Sequence, residues 1–103
     1  MTYRNRAHLD LLHDCPCMCD FPHECRGLSE PMHDNSLAGG RGASFKAPDW
    51  RTAAGCNDAH NYIDGRKGGW TKEQKRSEWE RAHIKTMNWL FENRKLVVNK
   101  EAA

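Results

Sequence analysis

The chain contains no long apolar run. Nothing in it approaches the ~18 consecutive apolar residues that span a bilayer, so no membrane association is expected. No secretory leader is expected either. The stretch 4–13, RNRAHLDLLH, is broken by His8 and Asp10 and never builds an apolar h-region, which points to the reducing cytoplasm. Charge of one sign is also scarce: 16 Lys and Arg stand against 14 Asp and Glu, a net charge of +2, so the total alone does not announce nucleic acid. There are no internal repeats, which excludes solenoids and arrays. Apolar bulk is thin too. Only 38% of the 103 residues are hydrophobic, and four Trp and three Phe carry much of that bulk. A single domain of this length buries only ~60–65% of the surface that its unfolded chain exposes, so it needs a staple: disulfides, a metal ion or a partner.

The cysteines suggest which staple. There are five, four of them between Cys15 and Cys25 and the last at Cys56, alongside six histidines. In a compartment that keeps thiols reduced, clustered Cys and His argue for a metal over disulfides.

Regular structure is expected at both ends of the chain. Residues 4–13 read as a short helix, with Ala7 and Leu11 four apart and His8 and Leu12 likewise, ended by Pro16. CPCMCDFPHEC follows as a tight cysteine-bearing turn. Residues 26–48 contain no helical pattern, and GGRG at 39–42 reads as a loop or bent hairpin. DWRTAAGC suggests a strand turning at Gly55. CNDAHNYID then opens a short helix with Cys56, Ala59, His60 and Ile63 on one face. After a flexible GRKGG connection, Thr71 and Gln74 form a capping box for an amphipathic helix over about 71–93. Trp79, Ala82, Ile84, Met87, Leu90 and Phe91 follow its helical spacing as core residues, and 96–98 adds a short strand or packs. The fold class expected is small α+β, one domain over 1–103 with its core at about 14–65.

Chemistry concentrates in three places. Zinc takes four sulfur or nitrogen ligands in a tetrahedron, commonly two from each of two chain segments. Cys17 and Cys25 bracket a loop holding Pro22, and Cys56 and His60 lie at i and i+4 on a helix, so these four make a sensible set. His23, His33, Cys15 and Cys19 are further ligand candidates. His33 stands before the Gly-rich segment. An imidazole there can take a proton from water to make a nucleophile for phosphodiester attack, with Asp34 or Asp49 to orient it or to hold a cation. Arg4, Arg6, Arg41, Lys46, Arg51, Arg66 and Lys67 flank the Cys/His segments, a face able to meet phosphates.

The order of these motifs resembles the small YbcO-like nucleases of phages and prophages, within the His-Me finger (HNH) superfamily. YRNRAHLDLL, PCM at 16–18, FPHECRG at 21–27, GGRG, KAPDW and GCNDAHNYID carry the resemblance, over about residues 3–65. It implies a ββα-metal core with a zinc knuckle and flanking N- and C-terminal helices. In that scheme His33 is the general base, with Asp49 in the catalytic neighbourhood. His60 is the helix histidine that binds a catalytic Mg2+ or Mn2+, and Cys17, Cys25 and Cys56 are ligands of a structural zinc. Two positions depart from the pattern. Relatives often carry C-x-x-C-H where this chain has Cys56-Asn57-Asp58-Ala59-His60. The fourth ligand then falls to His60, His23, Cys15 or Cys19, or there is no zinc, and His60 cannot serve both ions. The central Asn of the HNH name is also not evident before Cys56.

The expected function is a metal-dependent endonuclease that hydrolyses DNA phosphodiesters in phage DNA processing or recombination, with Arg41, Lys46 and Arg51 holding the backbone. The alternative expectation is a non-catalytic zinc-stapled module that binds nucleic acid or a host or phage protein. A homodimer through the aromatic helix is a further expectation.

Overall fold

The computed structural model describes residues 3–34 and 47–98. Its elements run α1 (Arg6–Leu11), β1 (Glu30–His33), β2 (Thr52–Gly55), α2 (Asn57–Ile63) and α3 (Lys72–Glu92). This is a small α+β arrangement in which β1 and β2 form a two-stranded antiparallel sheet, with Glu30 opposite Gly55 and His33 opposite Thr52. The backbone pairing continues one residue further, where Asp34 N–H donates to the Arg51 carbonyl at 3.0 Å.

β2 is buried along its whole length and divides the interior in two. Successive side chains of a strand point to opposite faces, and here Ala53 joins Phe21, Met32, Ala59, Ile63 and Trp79, while Ala54 joins Leu12, Cys15 and Leu90. Small residues suit this strand because α3 packs against it closely. At Gly55 the neighbour is the sheet partner instead: a Cβ there would come within 2.7 Å of Met32 Sδ on β1, whose flexible side chain would have to shift.

A buried strand must still satisfy the backbone groups on its outer edge. The helix supplies them. Thr86 Oγ1 accepts from Ala54 N–H at 2.9 Å while donating to its own helix carbonyl, Ala82, at 2.7 Å. His83 Nδ1–H donates to the Thr52 carbonyl at 2.8 Å, and Trp79 Nε1–H crosses to the Met32 carbonyl at 2.9 Å. Met18 N–H takes the Ala54 carbonyl at 2.9 Å. The inward face of α3 is therefore Trp79, Ala82, His83, Thr86 and Leu90. Ile84 and Phe91, expected in the core by apolar spacing, are instead 58% and 45% exposed. Apolar patterning overlooks His83 and Thr86 because their role is to pair backbone polar groups.

The helix starts are those the sequence announces. Both hydrogen bonds of the Thr71–Gln74 capping box form, at 2.8 and 3.1 Å. α1 is shorter than expected, capped by Asn5, with His8 buried and Ala7 exposed. Residues 96–98 form no strand. Arg41, Lys46 and the GGRG segment lie outside the described residues.

Candidate functional site

The segment between α1 and β1 carries the densest chemistry. It folds as a knuckle over the start of α2 and brings Cys17, His23, Cys25 and Cys56 together, their donor atoms all within 4.8 Å of one another. A zinc ion with bonds of ~2.3 Å to sulfur separates tetrahedral ligands by ~3.8 Å. The 3.6 Å between Cys17 Sγ and His23 Nε2 fits that spacing. The imidazole is also oriented for ligation. His23 Nδ1–H donates to the Phe21 carbonyl at 2.7 Å, which leaves Nε2 with its lone pair toward the sulfurs. Cys56 sits at the mouth of α2 as its N-cap, its sulfur accepting from Ala59 N–H at 3.5 Å, and its own N–H donates to Cys17 Sγ at 3.3 Å.

The electrostatics of this set favour a cation. The Cys17 thiol is lowered to about 4: the Cys19 thiol donates to it first, the Cys56 and Cys19 amides add to that, and together they outweigh burial. At Cys25 a backbone hydrogen bond from Gly27 works downward, but burial and the Cys17 charge prevail and push the thiol up. Sulfurs crowded in this way repel as thiolates, and a divalent ion among them removes that cost. The donor set of three cysteines and one histidine is the chemistry of a structural zinc site. Cys15 and Cys19 remain outside it. Burial, then the Cys17 charge, raises Cys15 to about 12, while Cys19 is raised by its hydrogen bond to Cys17 and by burial. They are protonated, packed residues of the interior.

His60, expected to complete this set, lies elsewhere. Its Nδ1 is 2.7 Å from Glu30 Oε1 and its Nε2 is 3.2 Å from Asp64 Oδ2, so β1 and the end of α2 hold the ring between two carboxylates. The i, i+4 spacing does place Cys56 and His60 along one helix. However, Cys56 caps the helix from outside its first turn and faces the knuckle, and there His23 is nearer. His23, one of the alternatives named for the fourth ligand, takes that place; its position beside Pro22, inside the loop that Cys17 and Cys25 close, was the signal that set it ahead of the others.

The second place is the far end of β1. His33, its side chain 36% exposed, puts Nε2 3.5 Å from Asp49 Oδ1. Asp49 is buried and heavily tied: Asn5 N–H donates to Oδ2 at 2.7 Å and Arg4 Nη1 to Oδ1 at 3.2 Å. Burial opposes its ionisation, but the Asn5 amide, Arg4 and His33 outweigh that and hold the carboxyl below its ordinary range. The two residues taken as catalytic candidates are thus brought together, one anchored and one half-open to solvent.

Asp34 and Arg51 belong to a neighbouring network. Arg51 donates to Asp34 at 2.7 Å and to Glu80 at 2.6 Å, and Arg76 reaches Asp34 at 2.8 Å. The Arg51 guanidinium also lies 4.7 Å from the centroid of the Trp79 ring, and only 16% of its side chain is exposed. Such an arginine braces β2 against α3 and is poorly placed to grip a phosphate. Asp34 is likewise spoken for and does not orient His33.

No protein-family profile, curated protein or solved structure matches this chain. Among the described residues no helix is long and apolar enough to cross a membrane.

Proposed function

We propose that this protein is a metal-dependent nuclease of the His-Me finger type, with a structural zinc at Cys17, His23, Cys25 and Cys56. The observation that carries the reading is His33 at the end of the first strand of a β1–β2–α2 unit, its Nε2 beside the anchored carboxylate of Asp49. A ββα-metal core needs its general base at that position. In this reading His33 takes the proton of the attacking water while Asp49 holds the ring in register and favours the imidazolium that forms. A catalytic Mg2+ or Mn2+ would stabilise the charge on the leaving oxygen. The zinc knuckle does no chemistry; it fixes the start of α2 against the sheet.

The test is cleavage of plasmid, single-stranded and four-way-junction DNA with magnesium or manganese, comparing the parent with His33→Ala. Loss of a general base costs ~10²–10⁴-fold in rate, with zinc content and thermal midpoint unchanged. A parent that cuts nothing under any of these conditions overturns the reading. In that event the alternative, a zinc-stapled binding module of a phage, takes its place. Two features favour that second reading: His60 is held between Glu30 and Asp64, and Arg51 is engaged within the fold.

A further inference from the structure

Beside the zinc knuckle lies a half-open cleft of about 350 Å³, lined by Phe21, Pro22, Trp70, Gln74, Ser77 and Glu78. The nuclease reading makes no use of it. Its walls are aromatic and fixed. Phe21 meets Trp70 edge-on at 4.6 Å and 77°, and Tyr62 backs Trp70 at 5.2 Å. Phe21 is held in place because its carbonyl accepts from His23, so the metal ligand and the cleft wall share one short segment. The opposite wall is the first half of α3, which offers an amide, a hydroxyl and a carboxylate.

An aromatic wall facing a few mixed donors and acceptors matches a planar heterocycle better than an aliphatic chain. Cations stand beside it: the Arg66 side chain is 72% exposed with Asp64 3.9 Å away, and the Lys75 ammonium lies against Gly65, whereas Lys67, 5.0 Å from the Tyr62 ring, is paired with Asp58. The carboxylate within the cleft disfavours a phosphate there but accepts well from an exocyclic amino group. Glu78 also receives Arg81 at 2.5 Å, which leaves acceptor positions on its oxygens.

We infer that this cleft takes one unpaired, amino-bearing nucleobase, with the adjoining cations following the strand. The inference rests on the reading of this chain as a protein that handles nucleic acid, and it adds a substrate class: DNA with single-stranded or extruded nucleotides. Stacking of one base on an aromatic side chain amounts to about tenfold or more in affinity.

The test is fluorescence anisotropy with labelled 12-mers of deoxycytidine and deoxythymidine, and with a duplex, on the zinc-loaded chain. Ser77→Phe fills the cleft from an exposed helix position and leaves Trp70 and the core in place; Glu78→Gln addresses the amino contact. The expected result is tighter binding of the deoxycytidine strand than of the deoxythymidine strand. Ser77→Phe should weaken single-strand binding about tenfold and leave the duplex unaffected, and Glu78→Gln should narrow the preference between the two strands. A parent that binds no single strand, or a Ser77→Phe variant that changes single strand and duplex alike or neither, overturns the inference. The outcomes separate from those of the cleavage test. Cleft-dependent binding without cleavage sinks the nuclease reading alone, and cleavage with cleft-independent binding sinks this one alone.

Discussion

Replacing His23 by alanine should cost most of the metal affinity, and replacing His60 should cost almost none. The structure supplies four donors, three sulfurs and the His23 imidazole, around one point. Structural zinc in small domains is bound with an apparent ~10–16 kcal/mol at neutral pH. Shared over four ligands, that is about 2.5–4 kcal/mol for each, so His23→Ala should weaken zinc binding by roughly 10²- to 10³-fold. The remaining sulfur nearby, Cys19, is a protonated thiol buried against Cys17, and recruiting it means moving a residue of the core. His60→Ala removes contacts to Glu30 and Asp64, both partly solvated, and should lower stability by less than about 1 kcal/mol. The assay is competition against a chromophoric chelator, with cobalt substitution to read the ligand set: three thiolates remain in His23→Ala, so their charge-transfer bands persist while the d–d bands move. If His60→Ala loses the metal and His23→Ala keeps it, the assignment of the fourth ligand is wrong.

Two further outcomes follow from the way α3 seals the sheet. Thr86→Val keeps the volume but leaves the buried Ala54 N–H without its acceptor, which should cost about 1–3 kcal/mol in urea unfolding of the zinc-loaded chain; an unchanged midpoint would refute that role for the hydroxyl. The second concerns pH. Burial lowers His83 below its ordinary 6.5, more than its bond to the Thr52 carbonyl raises it, and burial likewise lowers His8. The unfolded chain therefore takes up these protons first as pH falls. Stability should be full above pH 6.5 and erode below it, toward the depressed folded values, by at most about 1.4 kcal/mol per pH unit for each histidine. His83→Asn retains a donor for Thr52 but cannot titrate, so its stability should fall less steeply between pH 6.5 and 5 than the parent's. Any release of bound metal at acid pH would affect parent and variant alike, so the difference in slope isolates His83, and equal slopes would count against the buried histidine.

Much of the local structure could be read along the chain because local physics sets it. The Thr71–Gln74 capping box, the run to about Asn93, the strand before Gly55 and the short helix after Cys56 all depend on neighbours within one or two turns. The thin core and the clustered thiols were enough to call for a metal staple. β1 was not visible in its own residue pattern, since Glu30-Pro31-Met32-His33 has neither β-branched residues nor a clean alternation, and only the resemblance implied a hairpin there; it is a strand because β2 pairs with it. What required the tertiary structure was partner choice. Whether His23 or His60 meets Cys17 depends on how the knuckle folds back over α2, a contact between segments more than thirty residues apart. His83 and Thr86 turn inward, and Ile84 and Phe91 outward, because a buried strand edge needs hydrogen-bond partners, and that need exists only once β2 lies beneath α3. Arg51 became a brace because its own fold offered it two carboxylates and an indole face. Composition and spacing determined which chemistries were on hand; long-range packing decided which side chains could meet, because the free energy of each meeting depends on burial and charge that only the assembled chain creates.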